Sequence, residues 1–411
     1  MKKIKIFLLF FIIIILTSGL SALFLTKKQN HRAEVVFWTV QLAPFSDYIN
    51  SVIGEFEQTN PDIKIKWIDV PYAEVEKRVL ASLLSNSMPD LINITSDFNR
   101  TLATKGALQN IESGFAEYND ALVSVLSYQD KVWGIPFYAT SAITVYNKEL
   151  MNKFGFVTPP SDYDELISQL NNSKIIPNKY LFMPTLTEND TLYKLLNKYN
   201  INSPQTLDTE KSFNLFSNLK ELYLVGKIPK ESISQTHREV LEKYSAGQIA
   251  YLQIGANFLN IIRENSLDVY NKTDVAAQFS GNDKTYDFSL MTLAIPKKAK
   301  HKDEALLFAR FITNSSNQLE FAKKTGVLPC NKKTLSDEFF TKYDEQDLYS
   351  KARTIGAMQL SKPTFYSKDT KNYREITTLL NNLIETILLE DKDIKSLLAD
   401  VSGKWLLLNS K

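Results

Sequence analysis

Cysteine and histidine are scarce in this chain of 411 residues, and each scarcity closes off a class of chemistry. Cys330 is the one cysteine, which excludes an intramolecular disulfide framework, a thiolate metal cluster and a thioether lipid anchor at a mature N-terminus. The ordinary role left to it is that of a small buried apolar side chain. The three histidines, His31, His237 and His301, stand too far apart for a zinc or two-histidine iron site, and none shows an evident orienting partner. No glycine-rich phosphate loop and no nucleophile elbow occurs, so phosphoryl and acyl transfer lack their parts. Excess charge of one sign is missing too. Lys plus Arg number 48 against 46 Asp plus Glu, a net +2 that argues neither for nucleic acid nor for an anionic membrane surface. Nothing calls for a cofactor or a metal.

What is present starts with a leader. Met1-Lys2-Lys3-Ile4-Lys5 is basic, and residues 6–25 carry no charge before Lys27 and Lys28. Such a segment exports a chain. Gly19 and Ser21 offer small residues to a signal peptidase, while an apolar run of about 20 residues also suffices to span a bilayer. Residues 1–33 therefore read as a signal peptide, or as an N-terminal membrane anchor, plus a linker; in both cases the folded part works in the periplasm or on the extracellular face.

The rest has ordinary globular composition, 44% hydrophobic and 23% charged, and more length than one core usually fills, so two lobes are expected. Val35-Val36-Phe37-Trp38-Thr39 reads as a buried strand, residues 45–57 carry apolar residues at helical spacing, and Asn60-Pro61-Asp62 ends that helix before a strand at 63–70. The pattern repeats with a helix at 72–84 and a strand at 90–94, which predicts βαβ units and a mainly parallel sheet covered by helices. A short helix is expected near 102–105, and the segments 132–138 and 142–146 read as strands at a first crossing between lobes. Residues 148–267 are mostly helical, interrupted by a strand at 250–254. A strand at 287–296 returns to the first lobe, and helices follow at 303–313, 318–324, 373–390 and 393–408. Crossing between two α/β lobes by extended segments makes a cleft whose walls can hinge, with strand carboxyl ends facing it.

Several segments, in order, resemble the bacterial extracellular solute-binding proteins, the maltose-binding-protein-like family: FEQTNPDIKIK (56–66), LLSNSMPDLINI (83–94), KGAL (105–108), VWGIPFYATSAITVYNKELM (132–151), YSAGQIAYLQIGAN (244–257), and the stretch from 293 to 333. The resemblance spans nearly the whole exported part. It implies an α/β, two-lobed periplasmic-binding-protein-like fold of type II, with hinged lobes around a central ligand cleft. It also implies delivery of a carbohydrate to the transmembrane permease subunits of an ABC importer. The lobes are expected at 34–139 with 289–345, and at 140–288 with 346–411, in a monomer.

A sugar site needs planar polar side chains and aromatic platforms. Thr39 and Gln41 follow the first strand at what resembles the cleft entrance; Trp38 beside them suits core packing equally. Asp97 stands nine residues before Gly106, where similar proteins set a carboxylate against sugar hydroxyls, although an Asp there also suits a helix N-cap. Tyr138 and Thr140 lie at the first crossing, Phe137 beside them reads as core, and Thr140 replaces a carboxylate of the maltose-binding protein. Gly255, Asn257 and Phe258 resemble the turn after the second-lobe strand, with Phe258 where an indole platform is common. Tyr366, Tyr373 and Arg374, with Phe365, match a stretch in which relatives place aromatics over the cleft.

Three other readings stay open. A glycoside hydrolase would need two carboxylates facing each other at about 5–9.5 Å, and the sequence offers one convincing cleft carboxylate. A membrane sensor instead of a permease would change only the partner. An anionic ligand would need cleft cations, for which Arg374 and Arg100 are the candidates.

Overall fold

The computed structural model describes residues 32–410 apart from 86, 282–284, 362 and 365–371. The leader, but for its last two residues, lies outside them, as do Phe365 and Tyr366. No helix among the described residues is long and apolar enough to cross a membrane.

Strand β1 (Ala33–Val40) buries Val35 and Phe37 completely, as its alternating β-branched and aromatic residues dictate. Helix α1 (Ser46–Thr59) lays Ile49, Val52, Ile53 and Phe56 on the sheet and returns the chain to β2 (Ile63–Val70), which runs parallel to β1 from Ala33↔Ile63 to Val40↔Val70. Helix α2 (Tyr72–Ser85) then leads to β3 (Leu91–Thr95), also parallel to β1. Helix α3 (Ser96–Thr104) starts at once, with the Thr95 hydroxyl accepting from the Phe98 N–H as its cap.

The next long strand, β4 (Ile135–Asn147), is 13 residues and runs through both lobes. The two strands expected at 132–138 and 142–146 are thus one. Helices α4 (Thr191–Lys198), α5 (Glu210–Leu224) and α6 (His237–Ser245) follow, then β5 (Tyr251–Gly255) and β6 (Thr273–Ala277), which both pair antiparallel with the second half of β4. Strand β7 (Tyr286–Ala294) returns, pairing antiparallel with the first half of β4 and with β3. Helices α7 (Lys302–Ile312), α8 (Ser315–Thr325), α9 (Leu348–Gln359), α10 (Tyr373–Leu389) and α11 (Ile394–Ser410) complete the set that matters here.

The first-lobe sheet reads Leu328–Pro329, β4, β7, β3, β1, β2. A mainly parallel sheet was the expectation, and it holds only for β2-β1-β3. Strand β4 leaves the first lobe in the same sense as β3, while β7 returns from the second lobe between them in the opposite sense, with no βαβ crossover tying it to either neighbour to impose the parallel one.

Two apolar clusters fill the first lobe, one around Phe37, Phe56, Phe308 and Phe321, the other around Val70, Val79, Ile94 and Phe98. Two more fill the second, around Tyr193, Leu222, Ile384 and Trp405 and around Ile143, Tyr244, Leu252 and Ile262. Helix α9, which sequence periodicity did not reveal, sets Ala352 into the last of these and Gly356 against Leu328 of the first lobe. Cys330 is fully buried, its thiol pushed upward in pKa by burial, and its N–H donates to Gln318 Oε1 at 2.6 Å. The other arm of Gln318 donates to the Phe137 carbonyl, tying this segment to β4.

Candidate functional site

The carboxyl end of β1 opens onto a loop held by one residue that the sequence reading passed over. Asp69, opposite Thr39 in the parallel register, accepts from the Thr39 hydroxyl at 2.6 Å, the Leu42 N–H at 2.9 Å and the Ala43 N–H at 3.0 Å. Thr39 in turn accepts from Trp67 Nε1 at 2.7 Å and is wholly buried. Its hydroxyl is therefore a strut beneath the loop. Gln41 rides on that loop, exposed and with φ at +53°, so the pinned backbone presents its amide outward. Trp38 packs half-buried against the Val70, Ile94 and Phe98 cluster, which is the packing alternative.

Asp97 does not cap its helix, because Thr95 does. It lies in the first turn of α3 with an exposed side chain, where the positive end of the helix dipole favours a carboxylate. Across the junction stands Tyr373, whose hydroxyl donates to Asp190 Oδ2 at 2.7 Å. Burial raises the Tyr373 pKa most, followed by Asp190, Tyr193 and Asp97, which places the Asp97 charge of the first lobe within electrostatic reach of a second-lobe phenol. Asp190 also pairs with Lys194 at 3.1 Å and is a carboxylate of the second lobe, beyond the one the sequence offered in the first.

On β4, Tyr138 stacks edge-on to Phe137 and Phe321 and retains 9% exposure. Its pKa is raised, by burial first and then by Asp69 and Tyr72, and its hydroxyl carries no hydrogen bond among the described residues. Phe137 is core, stacked on Phe321. Thr140 is exposed on β4, paired with Ser289 of β7.

In the second lobe, Gly255 pairs with Ala142 at the end of β5. A Cβ on Gly255 would stand 2.5 Å from Asn257 Oδ1 and 3.7 Å from Phe258 Cδ2, so the missing side chain is the room that Asn257 and the Phe258 ring occupy. Asn257 is exposed and Phe258 half-buried. His237, which showed no partner in the sequence, has one here: its Nδ1 lies 2.7 Å from Glu188 Oε1, and its ring stands 6.4 Å from that of Phe258.

The two candidate cations are placed elsewhere. The Arg100 guanidinium lies 5.0 Å from the Tyr128 ring, and Arg374 is exposed, lining a groove with Thr378, Lys404 and Leu407 that shares no other candidate residue. Of the candidate residues, Gln41, Asp97, Thr140 and Asn257 are exposed, Phe258 and Tyr373 are half-buried, and Tyr138 is nearly sealed. Asp69 pins the loop of Gln41, Asp190 holds Tyr373 and Glu188 holds His237, each so far from its partner in sequence that only a strand register or a loop position would have shown it.

Two α/β lobes strung on shared strands are the architecture of a solute-binding receptor of the two-lobed kind. The chain belongs to the bacterial extracellular solute-binding protein family, whose profile matches residues 41–319. An ABC transporter extracellular-binding protein of Pyrococcus horikoshii is 22% identical, covering 77% of each chain. An arabinooligosaccharide-binding protein of Halalkalibacterium halodurans is 22% identical over 58% of this chain and 57% of its own. Among solved structures, a Synechococcus protein provisionally named an oligosaccharide periplasmic-binding protein superposes with a TM-score of 0.80 at 25% identity, covering 92% of this chain and 99% of that one. A cyclo/maltodextrin-binding protein with bound maltotetraose gives 0.73 at 17% identity, over 92% and 96%.

Proposed function

We propose that this chain is the extracytoplasmic receptor of an ABC importer, binding a neutral mono- or oligosaccharide in the interlobe cleft and handing it unmodified to the transmembrane permease subunits. The observation that carries the reading is the exposed carboxylate of Asp97 in the first turn of α3, within electrostatic reach of Tyr373 of the other lobe, together with the half-buried Phe258 just after β5. A carboxylate accepts charge-assisted hydrogen bonds from ring hydroxyls, and an aromatic face covers the weakly apolar side of a sugar. Relatives named for arabinooligosaccharides and for mannitol lie in the same ligand class. An anionic cargo is less well served, since Arg100 sits over Tyr128 and Arg374 over a separate groove.

Gln41, Asp97, Tyr138, Thr140, Asn257, Phe258 and Tyr373 are the proposed ligand contacts, with Thr39 and Gly255 supporting the loop and turn that carry two of them. The lobes divide near residues 139–140 and 288–289, and the receptor works as a monomer without catalysis, tethered if its leader is retained. Contacts from both lobes favour the closed form by their differential affinity, and the closed face is what the permease reads.

The test is a thermal-shift screen of the protein against mono- and oligosaccharides, polyols and glycerophosphodiesters. A rise in melting temperature with a sugar recovered intact supports the reading. A shift with glycerophosphodiesters alone, or a ligand consumed, overturns it.

A further inference from the structure

Glu188 and His237 form a clamp that the proposed ligand contacts do not include. One oxygen of Glu188 meets His237 Nδ1 at 2.7 Å, while the other accepts the His237 main-chain N–H at 2.8 Å. Ring and backbone are thus held by a single carboxylate. The clamp is sheltered where it grips and open where it presents: the Glu188 side chain is 13% exposed and that of His237 58%. Among the described residues Nε2 of His237 meets no partner.

Stability alone is a weak reason for such a pair. A pair with one exposed partner contributes little to stability, and holding an exposed imidazole in one rotamer costs side-chain entropy. The neighbourhood offers a better one. The ring stands beside Phe258 with the two planes at 83°. Phe258 follows β5 at the lobe junction, and two residues beyond Glu188 lies Asp190, the partner of Tyr373. The loop is itself braced, since Asn381 Nδ2 donates to the carbonyls of Thr187 at 3.0 Å and Asn189 at 3.1 Å and the Thr187 hydroxyl donates to the Ile233 carbonyl at 2.8 Å. At the other side Glu239 accepts from the Thr236 N–H at 2.6 Å and fixes the start of α6, the helix that His237 begins.

We propose that His237 is a specificity-determining ligand contact, its Nε2 hydrogen-bonded to a hydroxyl of the sugar seated on Phe258, and that Glu188 is the positioning residue that sets the ring. This rests on the carbohydrate reading above. A neutral ring gives its Nδ1 proton to Glu188 and accepts a sugar hydroxyl at Nε2; an imidazolium donates at both nitrogens, and a hydroxyl answers either. The ligand class that needs such a group is a carbohydrate with a hydroxyl at the rim of its stacked ring.

The experiment is calorimetric titration of the full chain with maltotriose, arabinotriose, galactotriose and mannitol, for the wild type, His237→Ala, His237→Gln and Glu188→Gln. Melting of each unliganded protein serves as the folding control. His237→Ala is expected to weaken the bound probe about 10-fold or more, His237→Gln to restore most of that loss by offering an amide near Nε2, and Glu188→Gln to fall between. In parallel, the imidazole nitrogen resonances of the wild type are followed during titration, with that of His237 identified by its loss in His237→Gln. Nε2 of His237 is expected to shift on saturation. A probe that binds wild type and His237→Ala alike, or leaves Nε2 unmoved, overturns the role of His237 while sparing the carbohydrate reading. If none of the probes binds the wild type, the carbohydrate reading and this role fail together.

Discussion

The main-chain N–H of Gln278 donates to Gln359 Oε1 at 2.7 Å, across 81 residues of sequence. The side-chain amides of both then converge on β4: Gln278 Nε2 reaches Ser141 Oγ at 3.1 Å and Gln359 Nε2 reaches it at 2.7 Å and the Ala142 carbonyl at 2.8 Å. Gln278 also holds β7, donating to the Asp287 carbonyl at 2.8 Å and accepting its N–H at 3.2 Å. Both glutamines are buried, so β4, β7 and the end of α9 are joined by a buried polar knot where strands pass from lobe to lobe.

Replacing Gln359 by Leu would keep the volume and remove every one of its hydrogen bonds, leaving the Gln278 N–H buried and unpaired. A loss of about 2–4 kcal/mol is expected, measured by urea unfolding. Stability unchanged within about 0.5 kcal/mol would mean the knot is not structural.

Gly134 sits just before β4, and a Cβ there would stand 2.5 Å from Thr292 Oγ1, 2.9 Å from Asn99 Nδ2 and 3.1 Å from the Leu293 carbonyl. Neither side chain can yield cheaply, as Thr292 donates to the Ile135 carbonyl at 2.9 Å and Asn99 to the Trp133 carbonyl at 3.0 Å. Gly134→Ala is expected to cost about 1–3 kcal/mol by overpacking, read from the same unfolding curves. A more stable variant would contradict this packing.

Asp274 on β6 joins the second lobe to α9 through Lys351 at 2.7 Å and accepts the Tyr146 hydroxyl at 3.2 Å. Burial pushes its carboxyl upward, but the hydrogen bonds from Lys351 and the Val275 N–H, with the Lys351 charge and Tyr146, bring it below the ordinary carboxylate value. A carboxyl depressed on folding stabilises the protein above its unfolded pKa of about 4, and that stability is lost as pH falls through the lower folded value. Wild type should therefore exceed Asp274→Asn at pH 7, with the gap closing as the pH drops below about 4. A gap independent of pH would show that the charge is not what matters.

Asp97→Ala and Phe258→Ala are each expected to weaken ligand binding about 10-fold while leaving the unliganded melting temperature nearly unchanged, because both side chains lie at the junction rather than in a cluster centre. Titration with the ligand found by thermal shift checks this. Unchanged affinity in both would relocate the site; unfolding would return them to a packing role.

Much of the fold was legible because local patterns survive in sequence. The apolar spacing in α1 and the breaker Asn60-Pro61-Asp62 predicted the first crossover, and Val35 to Thr39 predicted β1. The mainly parallel sheet that was expected failed at β7, which returns from the second lobe antiparallel to both β3 and β4. Helix α9 stayed hidden because it bridges both lobes and carries no single apolar stripe. Asp97 and Phe258 entered as candidates because their surroundings resemble a known family, whereas the hydrogen-bonding roles of Asp69, Asp190 and Glu188 left no mark in the sequence.

The sequence by itself determined the α/β class and, through ordered motifs that resemble a known family, its two-lobed form, with the export segment and the ligand-contact candidates as expectations. Only the tertiary structure decided which of those residues are open to a ligand. Thr39 and Gln41 are two residues apart, yet one is sealed under Asp69 and Trp67 and the other stands exposed on the loop they hold. That division rests on partners about 30 residues away, brought alongside by the parallel register of β1 and β2, and a hydrogen bond between distant residues leaves no periodic mark in the chain.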